Sequence, residues 1–197
     1  MPMVIKKVEQ ICKVLKKLSV IPVEEITDLE AIECGYKKNN IPPAEGWQPM
    51  TYLCGADKHF WIRGSFRTPA AEEGTRYLLD VRSDVKKGWD ATNPQGLLYL
   101  NGKMVQGLDI NHTEAFLEPD QEYQMYIYYY IGELVRPFLL STQLVKLDVE
   151  TEGLYYDLEV PREALDYLNE NTAEYRDTLS ALEQELNLLD LRSPYSP

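Results

Sequence analysis

The sequence predicts a mainly β protein, an antiparallel β-sandwich or jelly roll with an amphipathic helix at each end. Three observations carry this. Short apolar runs separated by turn residues fill the chain between His59 and Val149, at the even spacing of sandwich strands. The 197 residues include 14 tyrosines and 3 tryptophans, which suit a pleated, half-buried surface. The apolar period changes to that of a helix at both termini.

At the N-terminus Val4, Val8, Ile11, Leu15 and Leu18 recur at spacings of four and three, which lines one helix face. Lys6, Lys7, Lys13, Lys16 and Lys17 occupy the other positions, so a helix ending near Ser19 is expected, docked by its apolar stripe on an acidic body. From Ile21 to Pro49, Pro22, Pro42, Pro43 and Pro49 interrupt any period, and the segment reads as an ordered wrap or linker.

Strands are then expected at His59 to Arg67, Arg76 to Ser83, Gln95 to Leu100, Lys103 to Gln106, Glu114 to Leu117, Glu122 to Ile131, Leu134 to Leu140 and Leu144 to Val149. Asn101-Gly102 between two of them marks a type I′ hairpin, because both residues accept positive φ. Alternation in Tyr123 to Ile131 puts Tyr126, Tyr128 and Tyr130 on one face and Ile127, Tyr129 and Ile131 on the other. With both faces apolar, that strand should be central and covered on both sides.

At the C-terminus Asn171 and Glu174 form a capping box ahead of Tyr175, Leu179, Leu182, Leu186 and Leu189, which predicts a helix from about Thr172 to Asp190. Its apolar seam requires a partner. The expected organisation is a helix and wrap over residues 1–49, a sandwich over 50–160 and a helical linker over 161–197.

Lys and Arg number 20 against 32 Asp and Glu, a net charge of −12 that repels phosphate backbones and anionic lipid. Nucleic acid and membrane surfaces are therefore poor partners. Cys12, Cys34 and Cys54 lack CxxC spacing and read as reduced core thiols. The N-terminal segment lacks the uninterrupted hydrophobic stretch of a signal peptide, so a cytoplasmic location is expected, where the glycosylation pattern Asn111-His112-Thr113 has no consequence.

The stretch Gly96-Leu97-Leu98-Tyr99-Leu100-Asn101-Gly102-Lys103-Met104-Val105-Gln106-Gly107-Leu108-Asp109-Ile110-Asn111-His112 resembles the strand, hairpin and loop in the N-terminal domain of cytosolic and bacterial-type α-mannosidases of glycoside hydrolase family 38. Phe60-Trp61-Ile62-Arg63-Gly64-Ser65-Phe66 is similar to that family's first sandwich strand, and Leu186-Asn187-Leu188-Leu189-Asp190 to its linking helix. The resemblance implies a galactose-binding-like jelly roll preceding a separate catalytic domain that hydrolyses terminal α-linked mannose. The partners it implies are that domain, a mannose-containing glycan and further copies of the full-length protein as a homo-oligomer.

The cofactor it implies is zinc or another divalent metal, held in the catalytic domain through a His-x-Asp motif. Here the histidines are His59 and His112, and neither is followed two positions later by Asp. No catalytic or metal-binding role transfers to this chain, which alone is expected to be inactive.

The candidate site residues are Asp109, Asn111 and His112 in the loop after the hairpin, and Trp89 in Lys87-Gly88-Trp89-Asp90. The loop suits a sugar hydroxyl, a metal or a domain interface, against a purely structural use in which Asp109 and Asn111 bond loop amides and His112 packs beneath them. Zinc needs three or four ligands; Asp109 and His112 supply two, and Asp57 and His59 lie on another strand. Trp89 suits sugar stacking or a protein contact, against use as a buried anchor.

Retaining glycosidases need two carboxyl groups about 5–5.5 Å apart, and Glu24-Glu25, Glu72-Glu73 and Glu183-x-Glu185 read instead as solvated surface. A Ser nucleophile elbow, a Walker loop and a dinucleotide fingerprint are all missing from the sequence. An accessory domain predicts that the last helix leaves its Leu seam exposed in this chain alone. The competing readings are a stand-alone carbohydrate-binding module, which predicts a groove containing Trp89 or tyrosines, and a protein-interaction sandwich.

Overall fold

A computed structural model describes residues 2–36, 41–84, 94–132 and 137–189. Two compact units divide the chain, a sandwich over Pro22–Lys146 and a helical unit formed by the residues up to Ile21 with those from Leu147 on. This division differs from the expected three segments. The two ends of the chain fold together, so the N-terminal helix shares a unit with the C-terminal region.

The strands are β1 (Val20–Glu25), β2 (Glu30–Cys34), β3 (Gln48–Pro49), β4 (Lys58–Arg67), β5 (Thr75–Ser83), β6 (Gln95–Leu100), β7 (Lys103–Leu108), β8 (Glu114–Leu117), β9 (Glu122–Ile131) and β10 (Leu140–Asp148). They form two antiparallel sheets, one of four strands in the order β1-β10-β5-β8 and one of six in the order β3-β2-β4-β9-β6-β7. Inward residues of both sheets, including Ile62, Leu79, Leu98, Ile127 and Leu144, share one core with Phe138 from the segment before β10, each fully buried. Six of the eight expected runs are strands as read, to within two residues at each end; the run expected from Leu144 instead begins at Leu140, and before it the described part of the run Leu134 to Leu140 holds only an isolated bridge at Phe138. Residues 134–136 of the expected Leu134 to Leu140 strand lie outside the described residues, and β10 begins at Leu140.

The proposed wrap from Ile21 to Pro49 is a correction, since it contributes β1, β2 and β3. Its prolines obscured them, yet Pro22 and Pro49 lie on β1 and β3, the outermost strands of their sheets, where a missing N–H costs no ladder bond. The proline-free β2 pairs with β4 from Glu30↔Arg63 to Cys34↔His59.

At the hairpin tip Asn101 has φ +50° and Gly102 φ +78°, the signs a type I′ turn requires. Asn101 also ties this tip to β9: its side-chain amide donates to the Glu122 carbonyl at 3.0 Å and its Oδ1 accepts from the Gln124 N–H at 2.8 Å. Strand β9 lies between β4 and β6, with Met125, Ile127, Tyr129 and Ile131 in the core and Tyr126, Tyr128 and Tyr130 on the opposite face. Tyr128 is buried on that second face beside Trp61, so the strand is covered on both sides there.

The helical unit contains α1 (Met3–Ser19), α2 (Val149–Leu165) and α3 (Ala173–Leu188). Helix α2 occupies residues assigned from sequence to the end of the sandwich. Gly153 and Pro161 disguise its period, but Asp148 caps it by accepting from the Thr151 N–H at 2.7 Å. The cap of α3 is Thr172 rather than Asn171, its hydroxyl accepting from the Tyr175 N–H at 3.3 Å. The α3 seam is not left open: Tyr175, Leu182 and Leu186 are buried with Ile5, Val8, Cys12, Leu158 and Leu165. An exposed seam, expected of an accessory domain in isolation, is therefore corrected. The α1 lysines all face solvent, as their spacing requires.

The cysteines form no disulfide, and only Cys12 is a core thiol; Cys34 is half-buried and Cys54 exposed. Among the described residues no helix is long and apolar enough to cross a membrane.

Candidate functional site

The loop after β7 closes on itself. The Asp109 Oδ1 accepts from the backbone N–H of Asn111 at 2.7 Å and of His112 at 2.8 Å, while the Asp109 N–H donates to the His112 carbonyl at 3.1 Å. This is the local turn chemistry that Asp favours. The His112 Nδ1 lies 3.0 Å from both carboxylate oxygens, and together these contacts hold the Asp109 carboxyl below its usual pKa, the His112 side chain being the largest cause. Asn111 contributes its N–H and is itself exposed.

The structure thus brings Asp109, Asn111 and His112 together as a preorganised polar turn. It differs from the structural alternative in two respects: Asn111 donates its own N–H to Asp109 instead of bonding a loop amide, and the His112 side chain is 64% exposed rather than packed beneath the loop. Asp109 also touches the core electrostatically. Burial pushes the Tyr129 phenol upward, a Ser83 hydrogen bond opposes that rise, and the nearby Asp109 carboxylate adds to it.

Trp89 lies outside the described residues. The other tryptophans are anchors. Trp47 donates from Nε1 to the Pro43 carbonyl at 3.1 Å and lies against the Arg63 guanidinium, 4.4 Å from its ring centroid. Trp61 is fully buried between Tyr128 and Tyr99, at ring-centroid distances of 5.1 and 5.7 Å, and its Nε1 has no hydrogen-bond acceptor among the described residues.

Among the described residues no three His, Cys, Asp or Glu side chains converge to hold a metal ion. Glu24, Glu25, Glu72, Glu73, Glu183 and Glu185 are all exposed, and Glu72 pairs with Lys146 at 2.8 Å.

Sequence reasoning missed a second polar centre at the end of β2, β4 and β9, where Cys34, His59 and Tyr130 stand side by side. The Tyr128 hydroxyl lies 2.8 Å from His59 Nδ1, the His59 ring centroid lies 4.7 Å from that of Tyr130 with the rings tilted by 30°, and the Tyr130 hydroxyl donates to Asp57 Oδ1 at 3.2 Å. The available signal was the alternation His59, Trp61, Arg63 opposite Tyr130, Tyr128, Tyr126, which becomes legible only once strand register is known.

Fold and site define a chain of two units, an antiparallel sandwich with two polar surface centres and a bundle of three helices among the described residues. No protein-family model matches the chain, and among curated proteins no significant sequence match is found.

Proposed function

We propose that the chain is the non-catalytic N-terminal region of an α-mannosidase of the glycoside hydrolase family 38 type, its sandwich a galactose-binding-like jelly roll. In this reading the Gly107 to His112 loop meets the catalytic domain beside its sugar site, and the divalent metal belongs to that domain.

The observation that carries the reading is the state of His112. The turn is closed by the Asp109 carboxylate on two backbone N–H groups, so the exposed imidazole, which reaches only Asp109, is not needed to close it. An exposed side chain held in a fixed position by the Asp109 carboxylate is well placed to contact something beyond the sandwich. The helix–sandwich–helix order agrees with the same reading.

The test uses the natural reading frame containing this chain, assayed on a chromogenic α-mannoside with a divalent metal supplied. His112→Ala should lower kcat/KM by up to about 100-fold, since a displacement of about 1 Å at a site has that effect, and should leave the melting temperature of the 197-residue chain nearly unchanged. The 197-residue chain alone should not turn over the substrate. No mannosidase activity from the extended frame, or full activity in the His112→Ala enzyme, overturns the proposal.

A further inference from the structure

The second polar centre borders an open cleft of about 730 Å³, within the usual range for small-ligand sites. Its lining includes Tyr36, Asp57, His59 and Tyr130, together with Glu33 and Lys58. The site stands on the sandwich alone and is independent of the mannosidase reading.

Three properties of the lining select the chemistry of an occupant. First, Tyr36 is 74% exposed, yet its ring sits 5.8 Å from that of His59 at 62°, so a bare aromatic surface flanks the cleft. Second, acceptors and donors stand near it with capacity to spare. Asp57 accepts from Tyr130, and a carboxylate has about four lone-pair positions. Glu33 and Lys58 pair with one another at the surface, both side chains remaining roughly half exposed. Third, Asp57 is held at φ +53°, and its N–H donates to the Gly132 carbonyl at 2.6 Å. The left-handed backbone fixes where the Asp57 side chain leaves the chain, and the Tyr130 hydroxyl holds one carboxylate oxygen before any ligand arrives.

Two carboxylates facing one ammonium disfavour an anionic ligand. A metal ion would need three converging ligands, which the described residues do not offer. A neutral molecule with one C–H face and several hydroxyls matches both the exposed ring and the mixed acceptors and donors. We propose that this cleft binds a neutral saccharide, with Tyr36 packing on its C–H face and Asp57 and Glu33 accepting from its hydroxyls.

The test titrates the 197-residue chain with methyl α-mannoside, methyl β-galactoside and cellobiose, followed by NMR of the histidine ring protons. His59 and His112 are the only histidines, so His112→Ala assigns the two signals. At least one sugar should shift the His59 signal saturably, with a Kd near or below about 10 mM, while the His112 signal stays in place. Tyr36→Ala and Asp57→Asn should each weaken that binding about 5-fold or more, the effect of losing one ring contact or one charged acceptor. Asparagine tolerates the left-handed backbone at position 57, so the second variant keeps the fold. Silence of His59 with all three sugars overturns the proposal. So does binding that both variants leave intact, or a His59 response to inorganic phosphate or an acetylated lysine amide in place of the sugars.

Discussion

Gly96 on β6 opposes Tyr129 on β9, and a Cβ placed on it would lie 2.5 Å from the Tyr129 Cδ2 and 2.9 Å from Cε2. Ordinary carbon contacts are about 3.5–4.0 Å, so Gly96→Ala requires the ring to retreat by about 1 Å. Tyr129 is 4% exposed, with Phe138 6.0 Å away, and a close-packed core offers little room for that shift. Overpacking of this kind costs about 1–3 kcal/mol, offset in part by about 0.5–1 kcal/mol from removing a flexible glycine from a strand. The expected net loss is about 1–2 kcal/mol, or a fall in Tm of about 3–8 °C for a domain of this size. Gly107 on the neighbouring β7 is the control: its added Cβ meets nothing within 4 Å, so Gly107→Ala should be neutral or stabilise by up to about 1 kcal/mol. Thermal melting followed by near-ultraviolet circular dichroism separates the two. If Gly96→Ala melts at or above the parent temperature, or both substitutions shift Tm alike, the steric argument fails.

Two further outcomes follow from the fold. Gly102→Val should cost about 1 kcal/mol or more in urea unfolding, because φ is +78° there and a β-branched residue resists positive φ; an unchanged midpoint would exclude the type I′ turn. Cys12 should resist alkylation by iodoacetamide at pH 8 while exposed Cys54 reacts, since burial first and Glu159 second push the Cys12 thiol up to about 12; mass spectrometry of the native chain reads this, and labelling of Cys12 at the rate of Cys54 refutes it.

Sandwich strands were legible where local chemistry and tertiary structure agree. Asn101-Gly102 marks its own turn, and Tyr123 to Ile131 advertises two covered faces through alternation. The misses share a cause, which is that proline and glycine speak for the isolated segment and not for its place in the fold. Pro22 and Pro49 argue against strands until those strands prove to be edges. Gly153 and Pro161 argue against α2, yet the core formed with α1 and α3 through Leu158 and Leu165 holds it as a helix. The α3 seam was read from its period, but that its cover comes from residues such as Ile5 and Val8, far away in sequence, no local pattern reveals. Likewise the loop residues Asp109, Asn111 and His112 are neighbours in sequence and were found, whereas Asp57 and Tyr130 meet only through strand pairing.

Residue by residue, the stretch from Gly96 to His112 separates into folding duties and a remainder. Gly96 makes room for Tyr129, Asn101 and Gly102 turn the hairpin and tie it to β9, and Leu108 is buried. Asp109 closes the following turn and lies near enough to the Tyr129 hydroxyl to influence its protonation. Each of these positions has a reason within the sandwich, so a likeness across them carries no information about chemistry. His112 is different: its backbone is already held by Asp109, its ring is exposed, and removing that ring leaves both amide bonds of the turn in place. The proposed contact beyond the sandwich therefore rests on one side chain, which makes His112→Ala a sharper probe than a double substitution that also dismantles the Asp109 turn.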